Sequence, residues 1–349
     1  MRSKEMIRVG IVGVGFMGWI HWLAYKRIPG LEVVAICETD PVKRAGDWRS
    51  IQGNFGPPGE VVDLSQVTAY DSLPAMLANP DIDLIDICLP PALHHEVAIQ
   101  SLNAGKHVLS EKPMSLWTDK CDQMVAAAQA NQRQLMVAHV LPFFPEYAIA
   151  RQVIADGTYG KLLGGRFLRV ISDPQWLTGF YDPNKIGGPM LDLHVHDAHL
   201  ICLLFGRPKE VISRGRVKGS VAKYWNSFLT FDDPDQTVCI TSGVIDQQGR
   251  SFTHGFEIHL ERATLHFELA VIDGKVEAMP LKIITSSQGV IRPEMPVGDD
   301  VAGFEAELRE VQRALNSGQP SKILGCELAR DAIELCYRQS ESVFQAQGK

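Results

Sequence analysis

From Ile7 to about Val137, short apolar runs rich in Val and Ile alternate with stretches whose apolar residues recur at helical spacing. Strands buried on both faces read as continuous apolar runs, so this alternation predicts a parallel sheet with crossover helices. The predicted strands are 7–12, 32–37, 83–88, 106–109 and 134–138, and the predicted helices 16–27, 41–49, 92–104 and 116–131. The segment 50–66, with Gly53, Gly56, Pro57, Pro58 and Gly59, reads as a surface loop and is assigned no role.

After about Phe143 the pattern changes to a helix over 145–156, a strand over 162–171 and a strongly apolar helix over 188–205. From 209 to 285 the runs shorten and alternate, as in VCITSGVI and ATLHFEL, with Asp273-Gly274 as a hairpin turn. Helices over 301–317 and 325–345 close the chain. The predicted fold is α/β: a doubly wound, Rossmann-type parallel sheet over 1–140, then an α+β domain with a large, mostly antiparallel sheet over 141–349. The second domain is expected to bind substrate and to oligomerise, with its last helix packing back on the first.

A length of 349 residues suits two such cores. The net charge of -7, without a Lys/Arg cluster, argues against a nucleic-acid partner, which requires several neutralised phosphates. No apolar run approaches the roughly 18 residues of a membrane span. Gly10, Gly13, Gly15 and Gly18 interrupt the first apolar stretch, which reads as strand, turn and helix rather than as a secretion signal. Seven cysteines with no Cys-x-x-Cys pair predict reduced thiols and a cytoplasmic protein.

The segment Gly13-Val-Gly15-Phe-Met-Gly18 places Gly-x-Gly-x-x-Gly between the first strand and the first helix. Gly13 permits the tight turn, Gly15 lets a pyrophosphate approach the backbone, and Gly18 lets helix pack on strand, while the helix N-terminus offers N–H groups to the anion. With 30 glycines in the chain, chance supplies about 0.2 such matches, so context decides. The second strand ends at Glu38, about twenty residues beyond Gly18, where a carboxylate accepts from the adenosine ribose. That charge repels a 2′-phosphate and favours NAD over NADP; Lys43 and Arg44 on the next helix soften the preference, so NADP stays open.

Residues 83–113 read as strand, Pro90-Pro91 turn, helix and strand, ending in Glu111-Lys112-Pro113. A lysine at the ligand-binding edge of a parallel sheet is placed to donate to a substrate oxygen. With Gly187-Gly-Pro-Met-Leu-Asp192-Leu-His-Val-His196-Asp197, the glycine turn, Pro90-Pro91 with His94 and the run Ala104-Gly-Lys-His-Val-Leu-Ser-Glu-Lys-Pro113, the chain resembles the glucose–fructose oxidoreductase and inositol dehydrogenase (Gfo/Idh/MocA) family over nearly its whole length. The resemblance implies cofactor contacts from Gly13, Gly15, Phe16, Met17, Gly18, Glu38, Leu89, Pro90, His94, Glu111 and Lys112. It also implies that Lys112 meets the reacting oxygen, with Glu111 supporting the lysine or the cofactor, and it suggests a homodimer or homotetramer paired through the second sheet.

On a helix, Asp192 and His196 lie about 40° apart and share a face, whereas His194 diverges from His196 by about 160°. This predicts Asp192 and His196 as a catalytic pair beside Lys112, with His196 as general base and Asp192 orienting the substrate or stabilising the charged dyad. His194, His199 and Asp197 read as structural. The divergence of the two histidines argues against a shared metal ion, and no metal is expected. Trp176, Phe180 and Tyr181 either stack on a sugar ring or pack internally. Where many relatives carry arginine, this chain has His139-Val140-Leu141-Pro142, which weakens the expectation of a phosphorylated or carboxylated substrate. The implied activity is NAD(P)-dependent oxidation of a hydroxyl on a small sugar, polyol or related cyclic molecule. Alternatives are a glycosidase that uses transient oxidation by NAD and a dinucleotide-sensing protein without turnover.

Overall fold

The computed structural model describes residues 6–348. The chain divides into two compact units, the first running through Phe143 and including Val297–Arg330, the second comprising Phe144–Pro296 and the chain from Asp331 onward. The segment after Val297 therefore returns to the first unit.

In the first unit the elements run β1 (Ile7–Val12), α1 (Phe16–Tyr25), β2 (Leu31–Cys37), α2 (Pro41–Arg44), β3 (Thr68–Tyr70), α3 (Leu73–Leu77), β4 (Leu84–Ile87), α4 (Pro91–Asn103), β5 (His107–Glu111), α5 (Thr118–Ala130) and β6 (Leu135–Ala138). The six strands form a parallel sheet in the order β3-β2-β1-β4-β5-β6. β4 and β6 are buried throughout, as helices on both faces of a sheet require. Strand order reverses beside β1, which opens the crevice beyond the carboxyl ends of β1 and β4.

One expectation changes here. The helix expected over 41–49 is one turn long: Asp40 caps it by accepting the Val42 N–H at 2.8 Å, and Gly46 at φ +94° ends it. The segment 50–66 is the expected surface loop, mostly exposed, with Ile51 and Val62 buried. Trp48 is fully buried with its ring edge-on to Trp19 and Trp22, and Gly53 presses so closely on the Phe16 ring that a Cβ would lie 1.9 Å from it.

The second unit contains α6 (Pro145–Ala155), β7 (Leu162–Ser172), a π-helical turn at Met190–His194, α7 (Val195–Phe205), β8 (Glu210–Lys218), β9 (Val221–Thr230), β10 (Thr237–Ile245), β11 (Arg250–Leu260), β12 (Thr264–Ile272), β13 (Lys275–Thr285) and β14 (Gly289–Ile291). Its eight strands are ordered β14-β13-β12-β11-β7-β10-β9-β8, antiparallel except for the parallel pair β7 and β10. Helix α8 (Ala302–Ser317) belongs to the first unit, where Phe304, Leu308, Val311 and Ala314 form the buried stripe that packs toward α1. Helix α9 (Cys326–Ala346) follows. All seven cysteines are free, and among the described residues no helix is long and apolar enough to cross a membrane.

Candidate active site

At the glycine turn each glycine meets a different physical demand. Gly13 stands at φ +93°, and a Cβ there would lie 2.8 Å from Leu89 Cδ2 and 2.9 Å from the Cys88 carbonyl oxygen. At Gly18 a Cβ would come within 2.3 Å of the Gly13 carbonyl oxygen, so helix and turn touch backbone to backbone. Gly15 has open space where its Cβ would be, and it opens α1 without any side-chain cap on the first turn's N–H groups. An open backbone at an uncapped helix start is the shape a pyrophosphate needs, so these residues fit a dinucleotide. Phe16 and Met17 are half-buried beside the turn.

Glu38 follows the end of β2, half-buried. Its Oε2 accepts the Val14 N–H at 2.8 Å and its Oε1 the Asp40 N–H at 2.9 Å, which fixes the carboxylate against the glycine turn. Arg44 donates from Nη1 to the Glu38 and Thr39 carbonyl oxygens at 2.9 and 3.1 Å, so its guanidinium is anchored to the end of β2.

The ends of β4 and β5 supply the remaining first-unit residues. Leu89 is half-buried and Pro90 exposed, and His94 is fully buried on α4. The His94 Nδ1 lies 2.8 Å from the Pro113 carbonyl oxygen and its Nε2 2.7 Å from that of Leu89, so the ring lies between the two turns and its one N–H in the neutral form donates to one of the two carbonyls. Burial lowers its pKa. Glu111 is buried at the end of β5, and its Oε2 accepts the Lys112 N–H at 3.0 Å. Lys112 is half-buried and precedes a cis peptide bond to Pro113.

In the second unit the helix expected over 188–205 is present, wound as a π-turn over Met190–His194 and continued by α7. π-turns recur at functional sites. From Gly187 to Cys202 every residue is buried except Asp192 and His196, so the two share an accessible face despite the changed winding. Behind that face, Asp197 pairs with the buried Arg169 at 2.5 and 3.1 Å, and His194 Nε2 bonds Gln339 Oε1 at 2.8 Å. These contacts occupy His194 and Asp197 within the core. In the preceding loop Phe180 is buried edge-on to Tyr181 at 5.0 Å, whereas Trp176 is 71% exposed.

Ionisable residues at core positions went unread in the sequence. His21, Asp86 and Glu307 are fully buried on α1, β4 and α8. The available signal was a charged or titratable residue on an apolar helix face or inside an apolar strand, since such groups need partners or a task.

Residues 7–139 match the family described as an oxidoreductase family with an NAD-binding Rossmann fold, and residues 147–266 match the GFO/IDH/MocA C-terminal domain. A glycosyl hydrolase family 109 protein of Shewanella pealeana is 31% identical over 165 residues, which is 47% of this chain and 35% of the relative. The chain thus matches about a third of the length of such curated relatives. Among solved structures, UDP-N-acetylglucosamine 3-dehydrogenase from Acidithiobacillus ferrooxidans is similar with a TM-score of 0.72 at 21% identity, covering 97% of both chains. An NAD-binding oxidoreductase from Klebsiella pneumoniae gives a TM-score of 0.79 at 19% identity, again over 97% of both chains. A levoglucosan dehydrogenase in complex with NADH and levoglucosan gives 0.76 at 19% identity over the same share of each. With both of its domains matched, this chain belongs to the Gfo/Idh/MocA family of NAD-binding oxidoreductases.

Proposed function

We propose that the protein oxidises a hydroxyl of a sugar, polyol or related cyclic molecule, with Lys112, Asp192 and His196 as its catalytic residues. The observation that carries this reading is the exposure pattern of the second unit, where Asp192 and His196 alone remain accessible in an otherwise buried segment.

His196 takes the hydroxyl proton as general base, and Asp192 orients the imidazole and stabilises its charged form. Lys112 donates to the substrate oxygen as negative charge develops there. Glu111 holds the Lys112 backbone through the 3.0 Å hydrogen bond. Bound NAD supplies the hydride acceptor. The glycine turn holds the pyrophosphate, Phe16, Met17, Leu89 and Pro90 line the dinucleotide, and Glu38 accepts from the adenosine ribose and selects NAD over NADP by charge.

The glycosyl hydrolase relatives favour a second reading, in which the same residues serve a transient oxidation that cleaves a glycosidic bond. A panel of free sugars, polyols and glycosides, followed at 340 nm with product analysis, separates the two. NADH accumulation supports the dehydrogenase; sugar release without net NADH replaces it with the glycosidase; NAD binding with neither reaction refutes both. Exposed apolar side chains on the eight-stranded sheet, among them Ile212, Phe228, Val276 and Met279, support its pairing with a second copy of the chain. Seven free thiols suit a reducing, cytoplasmic setting.

A further inference from the structure

Beneath the lysine turn, the first unit buries a set of ionisable groups that take no part in the reaction proposed above. His21, fully buried on α1, places Nδ1 2.8 Å from Asp86 Oδ2 and Nε2 3.2 Å from Glu111 Oε1. The first contact is a hydrogen bond; the second is an ion-pair distance at which the ring N–H is not well aligned on the carboxylate. Tyr25 donates its hydroxyl to the same Asp86 oxygen at 2.9 Å, and Cys88 Sγ lies 3.6 Å from His21 Nδ1 and from Asp86 Oδ1. From α8, the Phe304 ring faces the imidazole at 6.2 Å, and Glu307 adds a fully buried carboxyl whose oxygens lack hydrogen-bond partners among the described residues.

Only a doubly protonated imidazole offers an N–H to each of two carboxylates. Burial works against that form, but Asp86 and Cys88 together outweigh it and the His21 pKa is raised. Burial raises the Glu307 pKa against the opposing His21 charge, with Glu111 and Asp86 adding to the rise, and favours its neutral acid. Glu111 is 6% exposed, so its carboxylate needs a donor from within the fold.

We propose that His21 is a positioning residue for the lysine turn: its imidazolium, anchored on Asp86, holds the Glu111 carboxylate where it accepts the Lys112 N–H, and so fixes the backbone that carries Lys112. This rests on the role proposed for Lys112. A metal ion is the competing occupant, because ligand atoms of His21, Asp86 and Cys88 all lie within 4.8 Å of one another. The cluster favours hydrogen bonding instead: Nδ1 is already engaged by Asp86, and burial followed by Asp86 pushes the Cys88 thiol up to about 12, away from the thiolate a metal requires.

The test uses the full-length protein with saturating NAD. His21→Asn keeps a donor toward Asp86 but is too short to reach Glu111, whereas His21→Gln restores that reach. His21→Asn is expected to lower kcat by about tenfold to a hundredfold while KM stays within about twofold, and His21→Gln to recover most of the loss. In 15N-lysine-labelled protein the Lys112 amide resonance, identified by its absence from Lys112→Arg, moves in His21→Asn and returns in His21→Gln. Should His21→Asn fail to fold, Glu111→Gln takes its place, removing the charge partner but keeping an acceptor for the Lys112 N–H; it is then expected to show the same loss of kcat and displaced amide. An unmoved amide, an unchanged kcat beside a moved amide, or one equivalent of tightly bound zinc in the purified protein would overturn the proposal. Full turnover in Lys112→Ala would instead overturn the role of Lys112, and the amide resonance would still decide whether His21 orders the turn.

Discussion

Gly15→Ala separates cofactor binding from folding. Gly15 adopts φ -96° and ψ -161°, a backbone region alanine shares, and its added methyl would meet no protein atom within 4 Å. Two small terms bear on stability: a stiffer unfolded chain contributes about 0.4–1 kcal/mol, and a poorer residue at the helix cap costs a similar amount. They nearly cancel, so Tm without NAD should stay within about 3 °C of wild type. The methyl occupies the space through which a pyrophosphate approaches, and a loss of at least tenfold in affinity, about 1.4 kcal/mol, follows. Thermal unfolding with and without NAD reads both quantities. At a concentration 100 times the wild-type Kd, NAD stabilises the wild type by about 2.7 kcal/mol, and the variant should show about half of that or less. Gly18→Ala is the control, because its methyl would stand 2.3 Å from the Gly13 carbonyl oxygen and should lower stability by about 1–3 kcal/mol. A full NAD-induced shift in Gly15→Ala, or a drop of more than about 5 °C without NAD, would refute the reasoning.

Removing Arg169 leaves the Asp197 carboxylate buried without its cation, so Arg169→Met should cost about 3–5 kcal/mol in urea denaturation, and the double variant Arg169→Met/Asp197→Leu should recover much of it; equal stability of the single variant and wild type would contradict the buried pairing. Burial, then the Arg169 charge, lowers the His254 pKa to about 3, and its Nδ1 lies 2.7 Å from the Tyr147 hydroxyl. The unfolded chain then binds the extra proton between about pH 6.5 and pH 3, so stability should fall with pH across that window by up to about 1.4 kcal/mol per unit from this group. Denaturation of His254→Gln across the same range should show a shallower slope, and an unchanged slope would count against the assignment.

The sheet of the first unit was legible because strands covered on both faces must be apolar throughout, and LIDI and LMVA are nearly so. Spacing also identified the demands on Gly13, Gly15 and Gly18, each a matter of local backbone geometry. The shortened α2 was missed although Gly46 stands in the sequence, because a helical apolar pattern continued past it. The π-turn at Met190–His194 has no compositional signature. Least legible were the contacts among His21, Asp86, Glu111 and Glu307, which come from four separate elements and meet only when α8 returns to the first unit. Sequence periodicity marks such residues as misplaced polar groups without saying what they meet.

The claim on which the account depends is that His196 performs the proton transfer. The direct measurement is the rate of NADH formation at 340 nm by NAD-saturated His196→Ala, on a substrate found in the panel, together with its Kd for NAD. The account predicts turnover lower by about 10²–10⁴ with NAD binding within about twofold of wild type. Turnover near the wild-type rate in that variant would contradict it.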